Sequence, residues 1–254
     1  AGQGPLADLQ TGMAVIIERG TIHIPAPSLR LSTQNSQPWD PHPHLEPGAC
    51  PPERLERTLA RLTALVTEKA PREGLATLAT LSVDAASAAA SPDSPDASEE
   101  SFLLHTARQA TERLLEGVIR QQSQLVRQGA SSLIGLGPGL TPSGDDLLIG
   151  FIAANSLLAE PIGFSSALYQ RLHLELLALA RGRTNKLSIT WMEYAAQGAV
   201  AEHVGRLFQA LVVDEARLLE EAALAVLKSG ATSGADLLAG IILGSRCLVA
   251  QRRL

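Results

Sequence analysis

Two octapeptides of one pattern, S-G-x-D-L-L-x-G, lie ninety positions apart at Ser143–Gly150 and Ser233–Gly240. Each sets a hydroxyl three residues ahead of an acid. That is the composition of a helix start, in which the serine caps an orphan amide and the acid, Asp146 or Asp236, lies near the positive helix end. Two such starts predict two sites for small anions. The first is preceded by Gly135-Leu136-Gly137-Pro138-Gly139-Leu140-Thr141-Pro142. Glycines let backbone approach a ligand closely, and amides at the following helix end can cradle phosphate or carboxylate. A tight turn ahead of a buried helix is the plainer reading, yet a mere turn has little need of three glycines, two prolines and two adjacent carboxylates.

Two familiar phosphate motifs do not fit this stretch. No lysine follows the glycines, which excludes a Walker loop, and Leu140 stands where a dinucleotide fingerprint needs its third glycine. Asp145 and Asp146 together suggest a magnesium site built from hard oxygen ligands. Neighbouring helical residues point about 100° apart, however, so only one can easily face a given site. Asp146 is then expected to be the cap partner, leaving Asp145 for substrate, metal or solvent. A second polar cluster, Arg181-Gly182-Arg183-Thr184-Asn185-Lys186-Leu187-Ser188, joins two helical patterns. Arg183 can hold carboxylate or phosphate in its planar fork, with Thr184 and Ser188 orienting an amide or carbonyl; the alternative is a helix end dressed with favourable cations and a cap.

The elements that must position these residues are mostly helical. Residues 12–32 alternate apolar and polar positions around Arg19-Gly20, which predicts a β-hairpin and a further strand. A proline-rich connection over 37–52 holds His42 and His44, two potential ligands without the companions a metal site needs. Pro51-Pro52 opens a helix carrying Leu55, Leu59, Leu62 and Leu65, ending near Lys69. The Ala-, Ser-, Pro- and Asp-rich stretch 84–100 is expected to be a mobile linker. Helical patterns follow at 101–129, 143–158, 165–181, 186–198, 201–212, 214–228 and 233–250. The expected fold class is therefore α+β and predominantly α-helical: a small β-rich portion (1–50), a connecting helical segment (51–83), the linker, and a helical domain (101–254) bearing the internal repeat and the Gly-rich loop. Small residues at Gly150, Ala153 and Ala154, and at Gly240 and Gly244, predict that the two repeat helices pack backbone to backbone.

The 254 residues suffice for one large domain or two small ones, and a net charge of −5 argues against general nucleic-acid binding. Cys50 and Cys247, the two cysteines, make no disulfide framework and suit a reducing cytoplasm. Neither a signal sequence nor an uninterrupted apolar span of about 18 residues is evident, so no membrane role is expected. His105, His173 and His203 fall in helical patterns and read as surface or satisfied core histidines, so no catalytic triad is assignable. Trp191 and Tyr194 share a helical face and read first as core, second as pocket wall.

Gly137-Pro138-Gly139-Leu140-Thr141-Pro142-Ser143 with Asp145-Asp146, then Thr184 and Ser188 ahead of Tyr194-Ala195-Ala196-Gln197-Gly198, then Thr232-Ser233-Gly234-Ala235-Asp236 with Leu238 and Gly240 resemble, in order, the AllH subunit family of oxamate carbamoyltransferase. The resemblance spans roughly residues 130–245, with a weaker trace at Trp39-Asp40-Pro41. It implies a cytoplasmic subunit of purine or allantoin nitrogen catabolism, acting with an FdrA-like subunit and a further carbamoyltransferase subunit. The assembly would move a carbamoyl group between carbamoyl phosphate and an amide acceptor such as oxamate. It also implies additional β-type sequence at the N-terminus, so an abbreviated N-terminal portion is expected here.

Carbamoyl transfer needs a held phosphate, a polarised carbonyl and an aligned amide, which oriented donors can supply without a covalent protein intermediate. On this reading the amides of Gly137, Gly139 and Ser143 bind an anionic group beside Thr141, Asp145 orients the amide N–H, and Asp145, Asp146 and Ser143 are the expected catalytic residues. Arg183, Thr184 and Ser188 hold a carboxylate or carbonyl, while Ser233 with Asp236 shapes the second helix end. No metal or cofactor is expected. The alternatives are a magnesium-dependent hydrolase using Asp145, Asp146 and Asp236, and a noncatalytic scaffold subunit.

Overall fold

Alternation of apolar and polar residues around Gly20 produces three short antiparallel strands, β1 (Ile16–Glu18), β2 (Thr21–Ile24) and β3 (Leu29–Ser32), in the order β1-β2-β3. Ile17 pairs with Ile22, and Ile22 with Leu31. The hairpin and following strand expected from the sequence are thus present. The sheet covers little of itself, and Ile17 is 76% exposed. The computed structural model describes residues 8–82 and 102–253. The linker expected at 84–100 lies outside the described residues. Two units are distinguished, Ala1–Asp40, which holds the sheet, and Pro41–Leu254. Of the described residues, 61% are helical.

The second unit contains nine α-helices among the described residues. Helix α1 (Pro52–Lys69) opens at proline, whose missing N–H costs nothing in a first turn. It buries Leu55, Leu59, Leu62 and Val66. Its contacts with the 3-10 turn Ala76–Thr80 and with the last helix place it inside the helical unit. The single helix expected over 101–129 is two, α2 (Phe102–Ile119) and α3 (Ser123–Leu133). The chain reverses at Gln121, in the left-handed region at φ 55°. Gly117 against the Val126 amide and Gly129 against the Ala110 carbonyl bring the two helices together side by side. Periodicity reads straight through such a reversal because both helices keep the same apolar spacing.

The remaining helices are α4 (Ser143–Leu158), α5 (Gln170–Ala180), α6 (Lys186–Ala196), α7 (Glu202–Val213), α8 (Ala216–Leu227) and α9 (Ser233–Arg252). Helices α4 and α9 are apolar nearly all round, as central helices must be. Together they form the largest interface in the unit. Helix α9 is long and apolar enough to cross a membrane, but 78% of that window is buried inside the fold. The two helices run in the same direction: Gly150 faces the Leu237 carbonyl, Gly240 the Leu147 carbonyl, and Gly244 the Phe151 carbonyl. Backbone therefore meets backbone at the glycines, and both helix starts lie at one end of the pair.

Candidate functional site

The serines of the two octapeptides do not cap their own helices. Pro142 and Thr232 occupy the N-cap positions, neither with a side-chain cap bond, so Ser143 and Ser233 are first helical residues. From there each hydroxyl reaches the acid of the other helix. Ser233 and Thr141 hydrogen-bond Asp146, and Ser143 and Thr232 hydrogen-bond Asp236. Thr141 Oγ1 and Ser233 Oγ are themselves 3.0 Å apart. The expected capping pairs are thus exchanged between two parallel helices, which local spacing has no means of revealing.

The exchange leaves the two acids in different surroundings. Asp236 is fully buried, and its Oδ1 accepts the Leu75 N–H at 2.5 Å. Asp146 is 6% exposed and accepts no backbone amide, while Oδ2 is buried without a partner in both acids. Burial, reinforced by the nearby charges of Asp236 and Asp145, pushes its carboxyl up to about 7, against the lowering effect of the Ser233 and Thr141 hydroxyls. Burial likewise raises Asp236, offset by the Leu75 amide, Ser143 and Thr232.

Asp146, Thr141 and Ser233 border a cavity of about 270 Å³ between α4, α6, α7 and α9. Its walls include Ile149, Trp191, Val200, Val204 and Leu237, and neither Arg nor Lys lines it. His203 and Ser229 complete its polar side, hydrogen-bonded at 3.0 Å between Nε2 and Oγ. His203 is expected from the sequence to be a surface or satisfied core histidine, and Ser229 is not singled out there. His203 lies in a helical pattern, and the only hint at Ser229 is the Ser-Gly pair just ahead of the second octapeptide, a polar turn before a helix like the one ahead of the first. Trp191 is 41% exposed and walls the cavity, which corrects the reading of it as core.

The other expected site residues are placed elsewhere. Asp145 is fully buried; Oδ1 accepts the Gly135 N–H at 2.8 Å and Oδ2 accepts the Thr184 hydroxyl. The roles expected of the adjacent pair are therefore reversed: Asp145 ties the Gly-rich turn to the turn before α6, and Asp146 faces the cavity. Asn185 Nδ2 adds a 2.9 Å bond to the Leu140 carbonyl across the same two turns. Gly137, at φ 108°, permits a turn that brings it against Ser143, but neither it nor Gly139 lines the cavity. Beyond Ser143, the amides of the first turn have acceptors: Gly144 donates to the Leu136 carbonyl, and Asp145 and Asp146 to that of Pro142. Arg183 is exposed and turns toward the Ser131 carbonyl at 3.4 Å. Ser188 is buried at the start of α6, outside the cavity lining.

The tie between the turns has a measurable cost of removal. Thr184→Val keeps the shape but leaves a buried Asp145 oxygen without its donor, a loss of about 1–3 kcal/mol. Urea unfolding of the variant should show it, and a loss below about 0.5 kcal/mol would mean that the bond carries no weight.

Among the described residues no three His, Cys, Asp or Glu side chains group as a metal site. Asp145 and Asp236 spend oxygens on backbone amides, so the three acids do not converge on an ion. Burial raises the thiols of Cys50 and Cys247 to about 11 and about 12, which leaves both unreactive. His173 is pushed down to about 4 by burial and holds Nε2 without a partner, so it is buried but not satisfied as expected.

What these elements define is a helical unit with a small-molecule-sized, largely apolar cavity at the joint start of two parallel central helices. Residues 133–245 match the family model of the oxamate carbamoyltransferase subunit AllH, and every residue that lines the cavity lies within that stretch. No curated protein and no solved structure matches the chain.

Proposed function

We propose that this chain is the acceptor-binding subunit of a cytoplasmic carbamoyltransferase of the oxamate type, working with an FdrA-like subunit and a further subunit in purine or allantoin nitrogen catabolism. The observation that carries it is the cavity inside the family-matched stretch, where two helix starts meet at a buried carboxyl with an unpartnered oxygen. The acceptor lies with its amide in this cavity. Its nitrogen forms a bond to the carbamoyl carbon as the bond from that carbon to the phosphate oxygen breaks; phosphate leaves, and the nitrogen gives up a proton. With neither Arg nor Lys on the cavity wall, the phosphate and the acceptor's own carboxylate are left for the mouth, where a partner subunit can supply positive charge.

Co-purification with the neighbouring gene products, followed by phosphate-release assays with oxamate and other amides, tests the assignment directly. Calorimetry of the chain alone separates binding from scaffolding. Heat with oxamate supports the acceptor role; no heat with oxamate, phosphate or carbamoyl phosphate favours the organising role. That second reading draws support from Leu187, Trp191 and Tyr194, which form an exposed apolar stripe on α6.

A further inference from the structure

The two exchanged acids offer an internal comparison. Both receive a serine hydroxyl from the opposite helix and a threonine hydroxyl from the turn ahead of one of the two helices. At Asp236 the chain itself supplies an amide: the Leu75 backbone N–H donates to Oδ1, and Gly74 packs against that oxygen. No backbone amide reaches Asp146. Oδ2 is without a partner in both acids, but only Asp146, 6% exposed, borders the cavity. An amide N–H is thus what the fold itself supplies to one member of the pair and omits at the other.

We propose that Asp146 selects a carboxamide over a carboxylate, its own carboxylate accepting an N–H from the ligand as Asp236 accepts that of Leu75. A carboxylate in the same place would meet Asp146 with like charge and no donor. With neither Arg nor Lys in the lining it would also lack a guanidinium or ammonium counter-ion, beside a wall that Ile149, Val200, Val204 and Leu237 make apolar. The carboxyl, held up to about 7 by burial, is mostly ionised at pH 8. A site built to hydrogen-bond one group rejects the analogue that lacks it far better than an apolar pocket rejects a change of size. Asp146 is then the specificity-determining residue of the cavity. Only the choice of oxamate rests on the acceptor reading above.

Calorimetry of the full chain at pH 8 against two matched pairs, oxamate with oxalate and acetamide with acetate, tests the proposal. The amide of at least one pair should bind at least about tenfold tighter than its acid. In Asp146→Asn, whose side chain can donate to a carboxylate, that ratio should fall to about one or invert; Asp146→Ala should weaken the amide without strengthening the acid. Selectivity confined to acetamide over acetate, and lost in Asp146→Asn, keeps the proposal while removing oxamate as the ligand. Equal binding of amide and acid by the unaltered chain, an unchanged ratio in Asp146→Asn, or no heat with either amide overturns it.

Discussion

Gly240→Ala is expected to unfold the helical unit. A Cβ at this position would lie 1.9 Å from the Leu147 carbonyl oxygen and 2.9 Å from the Phe151 amide nitrogen, both backbone atoms of α4. Overpacked side chains relieve strain by changing rotamer and typically cost about 1–3 kcal/mol. Backbone has no such freedom, so α4 and α9 must separate along the largest interface in the molecule. Alanine favours a helix over glycine by only about 1 kcal/mol, too little to offset this. A loss above about 3 kcal/mol is a large part of the roughly 5–15 kcal/mol that holds a domain folded. Gly150→Ala repeats the test from the other side, 2.1 Å from the Leu237 carbonyl oxygen. Gly205→Ala is the control: a Cβ there finds Pro43 at an ordinary 3.6 Å, so the variant should be neutral or stabilised by up to about 1 kcal/mol. Thermal unfolding of the three variants decides the matter. A Gly240→Ala protein melting within about 2 °C of the unaltered chain would show that the helices are not pinned at their glycines.

That close approach was legible in the sequence, because Gly150, Gly240 and Gly244 fall at helical spacing within otherwise apolar runs. The bounds of α1, α4 and α9 were legible too, through proline at one start and the repeated serine at the others. Local spacing did not carry the partnership between helices. Ser143 and Ser233 have the spacing of caps to Asp146 and Asp236, yet satisfy each other's acid, a choice fixed only once α4 and α9 lie parallel. Asp145 and Asp146 are likewise indistinguishable as residue types. Which one meets the cavity depends on where the Gly135 amide and the Thr184 hydroxyl arrive, ten and thirty-nine positions away in the chain. His203 and Ser229 are joined across twenty-six positions by the turn ahead of α9, with no periodic signal to announce it.

Asp146→Asn should stabilise the protein at alkaline pH and do so progressively less as the solution is acidified. The carboxyl rises from 3.8 to about 7 on folding, chiefly because burial disfavours its charge. Below the unfolded value it carries its proton in both states, and its contribution to stability is fully present. Between the two values the unfolded chain ionises while the native one holds its proton, and stability drains away. Above about 7 both states are charged and the loss is complete. At about 1.4 kcal/mol per pH unit the span corresponds to a ceiling of roughly 4 kcal/mol. Asparagine cannot ionise, and its amide remains within reach of the Ser233 and Thr141 hydroxyls. Asp236, also raised by burial, titrates in both proteins and largely cancels in their difference. The melting temperature of Asp146→Asn minus that of the unaltered chain should therefore climb from pH 4 to pH 8, by roughly 10 °C at the ceiling. A difference that stays flat across this range would place Asp146 in water rather than at a dry carboxyl site, and with it would go the electrostatic basis for choosing an amide.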